Sequence, residues 1–214
     1  MTKIRALCVA LALCAASSAQ ATVIFTLGNN PQPNEENILL TAGDTGSSVS
    51  GTTNQTGLNV TFTSSQTLVV PTAATSITGD GVPLTDVSIT LTDGGSSSDY
   101  IANFSVLSTC SGCAEGTATV SVDSLLNGLP EFTTLFSFVL GNGNNFLTIT
   151  TADGESISSI AITAPQGFSS LSSLRISGPY TGVTAVPEPA TITLLGLGLA
   201  GIAVAWRRNL SRDA

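Results

Sequence analysis

The property that most narrows what this chain can become is a period of two. Leu58, Val60 and Phe62 alternate with Asn59, Thr61 and Thr63, and Val87, Ile89 and Leu91 alternate with Ser88, Thr90 and Thr92. Val120 and Val122 follow the same rule with Ser121 and Asp123, as do Phe136, Phe138 and Leu140, then Leu147, Ile149 and Thr151, then Ile160 and Ile162. Successive side chains of a strand point to opposite faces, so this pattern makes one apolar and one polar face. Thr, Val, Ile and Phe also pack well on a pleated surface. Gly79-Asp80-Gly81, Asp93-Gly94-Gly95, Gly141-Asn142-Gly143 and Asp153-Gly154 supply turns between the runs. The pattern predicts an all-β body of two packed antiparallel sheets, a jelly-roll-like or related β-sandwich. Residues 147–162, around Asp153-Gly154, read as one hairpin. Residues 124–128 or 168–174 leave room for a short helix.

Both ends of the chain differ from this body. Lys3 and Arg5 precede an apolar stretch over residues 6–16, and Ala19-Gln20-Ala21 has the small-x-small form of a signal-peptidase site. Cleavage after Ala21 leaves Thr22 as the first mature residue. The rival is a lipoprotein signal at Cys14, but Leu13 stands before it where a small residue is expected. At the other end, Val186-Pro187-Glu188-Pro189 leads into residues 190–206, which carry no charge, and then Arg207-Arg208. Seventeen helical residues span roughly 25 Å, slightly short of a bilayer core of about 30 Å. Trp206 suits the interface, and the arginines place this end in the cytoplasm. The bland alternative is a buried helix of a globular domain.

This tail resembles the C-terminal sorting signal of PEP-CTERM proteins, exported bacterial substrates of exosortases. The resemblance implies that an exosortase recognises Pro187, Glu188 and Pro189 and cleaves near them. It also implies that Arg207 and Arg208 act as the membrane stop, and that mature members join the extracellular polymer matrix. Residues 145–177, with Asn-Phe-Leu-Thr-Ile, Asp-Gly-Glu-Ser-Ile and Leu-Arg-Ile-Ser-Gly, resemble the closing strands of many PEP-CTERM bodies. The organisation read from the sequence is a signal peptide (1–21), a β-sandwich body (22–177) and a linker (178–186). A sorting signal (187–208) containing a transmembrane helix (190–206) follows, then a cytoplasmic tail (209–214). The expected route is export across the cytoplasmic membrane, transient anchoring there, then the cell surface or the extracellular space.

Charge and composition exclude several function classes. Between residues 22 and 186 a single basic residue, Arg175, stands against twelve acids, a net −11. Such a body repels nucleic acid and anionic headgroups; the acidity serves solubility, or else cations or a basic partner. Arg175 is expected to pair with a carboxylate of its own sheet, ligand contact being the alternative. The chain has no histidine and its one lysine is Lys3, so no Ser-His-Asp, Cys-His or Ser-Lys arrangement exists in the body. Paired carboxylates for glycoside hydrolysis are easy to assemble from twelve acids and therefore point nowhere. Tyr100 and Tyr180 are the only tyrosines, a thin supply for a sugar-stacking platform. No cofactor or metal site is expected. Calcium is the one ligand chemistry worth naming, through Asp80, Asp86, Asp93, Asp99, Asp153 and Glu155 near turns; solvated turn residues are the alternative. Asn54, Asn59 and Asn103 open Asn-x-Ser/Thr sequons.

The leading functional expectation is an exported, non-catalytic surface or extracellular-matrix protein whose partners are an exosortase, the membrane and extracellular polysaccharide. The alternatives are a carbohydrate-binding sandwich, calcium-dependent or not, and a carboxylate hydrolase.

Cys8 and Cys14 leave with the signal, so the body keeps Cys110-Ser111-Gly112-Cys113. An even pair in an oxidising compartment favours a disulfide pinning a turn. A reduced pair or a redox role is the alternative, and zinc lacks two further ligands. Alkylation of exported protein without reductant, read by mass, is expected to leave both cysteines unmodified; two alkylated thiols would refute the bridge.

Overall fold

The computed structural model describes residues 22–92, 95–106, 116–126, 128–152 and 154–178. The chain divides into two compact units, Met1–Val183 and Thr184–Ala214, and every described residue lies in the first. The alternating runs become strands: β1 (Thr22–Leu27), β2 (Glu35–Leu40), β3 (Thr45–Thr53), β4 (Asn59–Val69), β5 (Ser76–Gly79), β6 (Leu84–Leu91), β7 (Asp99–Val106), β8 (Gly116–Leu126), β9 (Leu129–Leu140), β10 (Gly143–Ala152), β11 (Glu155–Phe168) and β12 (Ser170–Ser177). All pairings are antiparallel, in the order β1-β10-β7-β12-β2-β3-β4-β6-β11-β8-β9.

Strand β5 stands off this path and folds the sheet back on itself. It pairs with Ser170–Ser172 of β12 on one side and with the end of β4 on the other. The ladder β12-β2-β3-β4-β5 therefore closes on β12 again. The two arms beyond this corner face each other across one apolar core, a sandwich-like arrangement. Phe25 on β1 stacks on Phe136 of β9 with centroids 4.8 Å apart. Phe104 on β7 meets Phe138 of β9 and Phe168 of β11 edge-on, at 5.6 and 5.8 Å. Val60, Phe62, Val87 and Ile89 line one side of the core, and Ala102, Phe104, Leu147 and Ile149 line the other. These are the inward positions of the period-two pattern, so the sequence expectation of antiparallel sheets holds.

Two local expectations fail. Residues 147–162 do not form a hairpin, because β10 pairs with β1 and β7 whereas β11 pairs with β6 and β8. The connection around Gly154 crosses from one arm to the other instead, which a turn signal cannot distinguish from a hairpin turn. Nor is there a helix at the two proposed places: residues 124–126 end β8, and residues 168–174 close β11 and build β12. Runs of Ser beside Leu carry no helical period, and the neighbouring ladders claim their main-chain groups.

Where β2 passes β3 the approach is so close that only glycine fits. A Cβ on Gly51 would lie 2.7 Å from the Leu39 carbonyl oxygen and 2.8 Å from Ile38 Cγ2. Gly51 pairs with Leu40 on one side and Val60 on the other, so the crowding sits inside the closed corner. Gly51→Ala is expected to cost about 1–3 kcal/mol through forced displacement of β2, read as a lower denaturant midpoint. Gly141→Ala, where the nearest atom lies 3.7 Å from the added Cβ, is the control and should change stability by less than about 0.5 kcal/mol.

Candidate functional site

A bulge decides where the body's only cation points. Leu171 faces the core, and strict alternation would send Arg175 inward with it. Between Ser172 and Arg175 the register with β7 slips, and Ser173 adopts φ 52°. The extra residue turns Leu174 and Ile176 into the core and Arg175 out. There Arg175 Nη1 lies 2.9 Å from Glu35 Oε2 on the neighbouring β2. The expected pairing with a carboxylate of the same sheet is thus what the structure shows.

Arg175 belongs to a polar lane on the outer face of β2, β12, β7 and β10. Opposed residues of adjacent strands share a face. One row reads Glu35, Ser177, Asp99, Thr150, and the next Asn37, Arg175, Ile101, Thr148. A strap of residues 28–34 connects β1 to β2 across this lane. Thr148 Oγ1 donates to the Gly28 carbonyl at 2.9 Å and accepts from Asn30 N at 3.1 Å. Arg175 Nη2 donates to Asn29 Oδ1, and Gln32 N donates to Glu35 Oε1 at 2.5 Å. Pro31 and Pro33 keep the strap out of the ladder, since neither has an N–H to donate.

A serine clasp closes one end of the lane. Ser97 Oγ reaches the carbonyls of Asp99 and Ser177 at 2.8 and 2.6 Å, and Ser98 Oγ reaches the Ser177 carbonyl at 3.0 Å. Thr151 bonds the Ser98 carbonyl through both its N and its Oγ1. Within this well-bonded frame Asp99 is the exception. It is 2% exposed, and neither carboxylate oxygen has a hydrogen-bond partner among the described residues. Burial pushes its carboxyl above the ordinary range; Ser177, near the carboxylate but outside hydrogen-bond geometry, pulls it down, Glu35 adds to the rise, and Arg175 opposes it. The hydroxyl of Tyr100, on the opposite, core-facing side of β7, likewise has no hydrogen-bond partner among the described residues; burial and the Asp99 charge both raise its pKa.

Of the other acids, Glu155 at the start of β11 is 6% exposed and its Oε2 also has no hydrogen-bond partner among the described residues; Glu36 and Asp86 are well partnered. Burial alone would raise Glu36, but hydrogen bonds from Thr56 and Gln55 hold it below the usual range. Asp86 sits within β6, two residues past its start. Burial again opposes ionisation there, and Ser65 and Ser64 outweigh it by donating to the carboxylate. Asp80 lies in a turn, Glu155 opens β11, and Asp93 and Asp153 lie outside the described residues. Among the described residues no three acids or cysteines converge as metal ligands. Asn103 is 4% exposed and donates to Asn144 and Ser172, so its sequon is closed to modification in the folded body. Tyr100 is in the core, which removes it as a sugar platform.

Of the predicted processing residues, Thr22 is the first residue of β1. Ala21, Cys110, Cys113, Pro187, Glu188, Pro189, Arg207 and Arg208 lie outside the described residues, as does the expected 190–206 span. No helix among the described residues is long and apolar enough to cross a membrane. The lane itself was not legible beforehand. Asp99 looked like one more turn acid, and only the cross-strand register brings it beside Ser177 and Glu35.

The direction of the Asp99 shift fixes a pH dependence. A carboxyl raised in the folded state holds its proton more tightly there than in the unfolded chain. Its stabilising contribution is fully present below the unfolded value of about 3.9 and is lost as pH rises through the folded value. Asp99→Asn is expected to remove that fall, so that the variant's urea midpoint gains on the parent's between pH 4 and pH 7. A variant whose stability falls with pH as steeply as the parent's would refute the assignment.

Comparison with known proteins bears on the tail. No curated protein matches the chain. A solved structure of a CBM29-2 mutant, from work on ligand recognition by family 29 carbohydrate binding modules, is 12% identical. It covers 80% of this chain and 99% of that one at a TM-score of 0.27, too low to carry any argument. Residues 185–209 match the family described as the PEP-CTERM protein-sorting motif. The match spans the Pro-Glu-Pro tripeptide, the uncharged stretch and the two arginines that the sequence sets apart. The chain therefore carries a PEP-CTERM protein-sorting motif at its C-terminal end.

Proposed function

We propose that this protein is an exported, non-catalytic surface or matrix component whose C-terminal signal is read and processed by an exosortase. The observation that carries this reading is the PEP-CTERM motif over residues 185–209. In it, Glu188 stands between Pro187 and Pro189, a residue type that disfavours helix in its neighbours. Residues 190–206 anchor the chain in transit and Arg207-Arg208 stop it, while the signal peptide ahead of Thr22 starts export. The body then needs no reactive site of its own. Its best-defined polar arrangement is a strapped clamp: Glu35 is held by Arg175 and Gln32, and Asp99 is sealed from solvent. A jelly-roll relation for the body is supported by strand order. From β5 to β12 the strands fall into two sets, β5-β12-β7-β10 and β6-β11-β8-β9, with successive strands changing set except at the β8–β9 hairpin. Extracellular polysaccharide is the proposed setting. A dedicated sugar-binding role is the weaker reading, because Tyr100 is turned into the core.

Glu188→Ala separates sorting by the motif from sorting by the apolar span alone. In cells that hold the processing enzyme, the variant is expected to be exported and folded but to accumulate as the longer, membrane-bound form. Fractionation and immunoblotting read this directly, and release at normal size would overturn the proposal.

A further inference from the structure

The free edge of β9 is the part of the body least suited to water. It is the last strand of its arm, and its second edge pairs with nothing among the described residues. Leu129, Phe132, Leu135 and Val139 are 71%, 58%, 68% and 72% exposed. Proteins ordinarily blunt such an edge with lysine, proline, a charge or a cover. Here residues 132–140 contain no charge and no proline, and β9 has only Pro130 and Glu131 near its start.

We propose that β9 pairs antiparallel with β9 of a second copy of this chain across a twofold axis, giving a closed dimer. Three features favour that occupant. The unpaired main chain calls for another strand rather than a helix or a small molecule. The body carries a net −11, so two copies repel over most of their surfaces, yet residues 132–140 form a neutral seam where they can meet. A basic partner would find no carboxylate on residues 132–140 themselves, and Asp123 of β8 beside them is already held by Thr133 and Ser159. Finally, the seam is self-complementary. Pairing centred on Phe136 sets Leu135 opposite Ser137 of the second copy and Val139 opposite Thr133, so no charge faces a like charge and the outward apolar side chains of both copies merge into one patch.

Strand β1, also terminal, lies across the core from β9 through the Phe25–Phe136 stack and exposes Ile24 and Leu27. Its edge offers the competing arrangement, β9 against β1 of the next copy, which would not close but propagate.

The test uses the full chain in mild detergent, with mass measured by sedimentation at micromolar concentration. A dimer is expected. The double substitution Leu135→Lys with Val139→Lys should weaken it at least tenfold, and so should Leu135→Glu with Val139→Glu. Mixing the two variants should restore a heterodimer. The C-terminal segment is the same in every protein, so a dimer held there would ignore these changes. Circular dichroism and the thermal midpoint check that each variant folds. Should either fail to fold, hydrogen exchange on the unaltered chain decides: β9 amides should gain protection as concentration rises. A monomeric parent, a dimer indifferent to both variants, open-ended oligomers, or protection independent of concentration would each overturn the proposal.

Discussion

Strand β12 has three neighbours where a strand ordinarily has two, and the rest of the body depends on that sharing. Strand β7 runs along one edge throughout, while β5 and β2 divide the other. Each takes a few residues, and the bulge at Ser173 falls between the two shares. The short partner on one half closes the ladder onto β4; the partner on the other half begins the return through β2 and β3. Without that division the arms would lie in one open sheet with an apolar face exposed to water. With it, they close on a common core, and burial at about 25 cal/mol per Å² acts on both faces at once.

Electrostatics follows from the same strand. One guanidinium serves a body of twelve acids, so its placement matters more than its number. The bulge sets it between β2 and the strap, where it touches both Glu35 and Asn29. Asp99, one strand away, finds no donor among the described residues, and the frame tolerates this because Ser97, Ser98 and Thr151 hold the main chain around it. Glu36 and Asp86 show the opposite solution, with hydroxyl and amide donors gathered around a carboxylate. The abundance of Ser and Thr, which reads in the sequence as β-propensity, is in the structure also the supply of donors that lets an acidic chain fold almost without cations.

The class of fold was legible because period two is local: Val87, Ile89 and Leu91 announce their shared face whatever they pair with. Pairing was not legible, because it is a property of distant residues. Asp153-Gly154 looks the same in a hairpin turn as in a crossing between arms. Strands β1, β2 and β3 carry little of that local signal: Thr45–Thr53 of β3 is mostly Ser, Thr and Gly with one buried valine. One hidden signal was present. The apolar residues Leu171, Leu174 and Ile176 are spaced three and then two apart, as a bulge requires. The sorting tail was read most sharply because its meaning lies in linear order, whereas the lane around Asp99 exists only once four strands are in register.

The strap also sets the order in which the body can be completed. Thr22 pairs with Ala152, and Gly28 and Asn30 bond to Thr148, well over a hundred residues later. Asn29 waits longer still, for Arg175. A chain delivered N-terminus first thus presents β1 and the strap before anything exists to receive them, and loop closure of that length is slow. The earliest segment made is among the last fixed, so the native state becomes complete only when nearly the whole body has emerged.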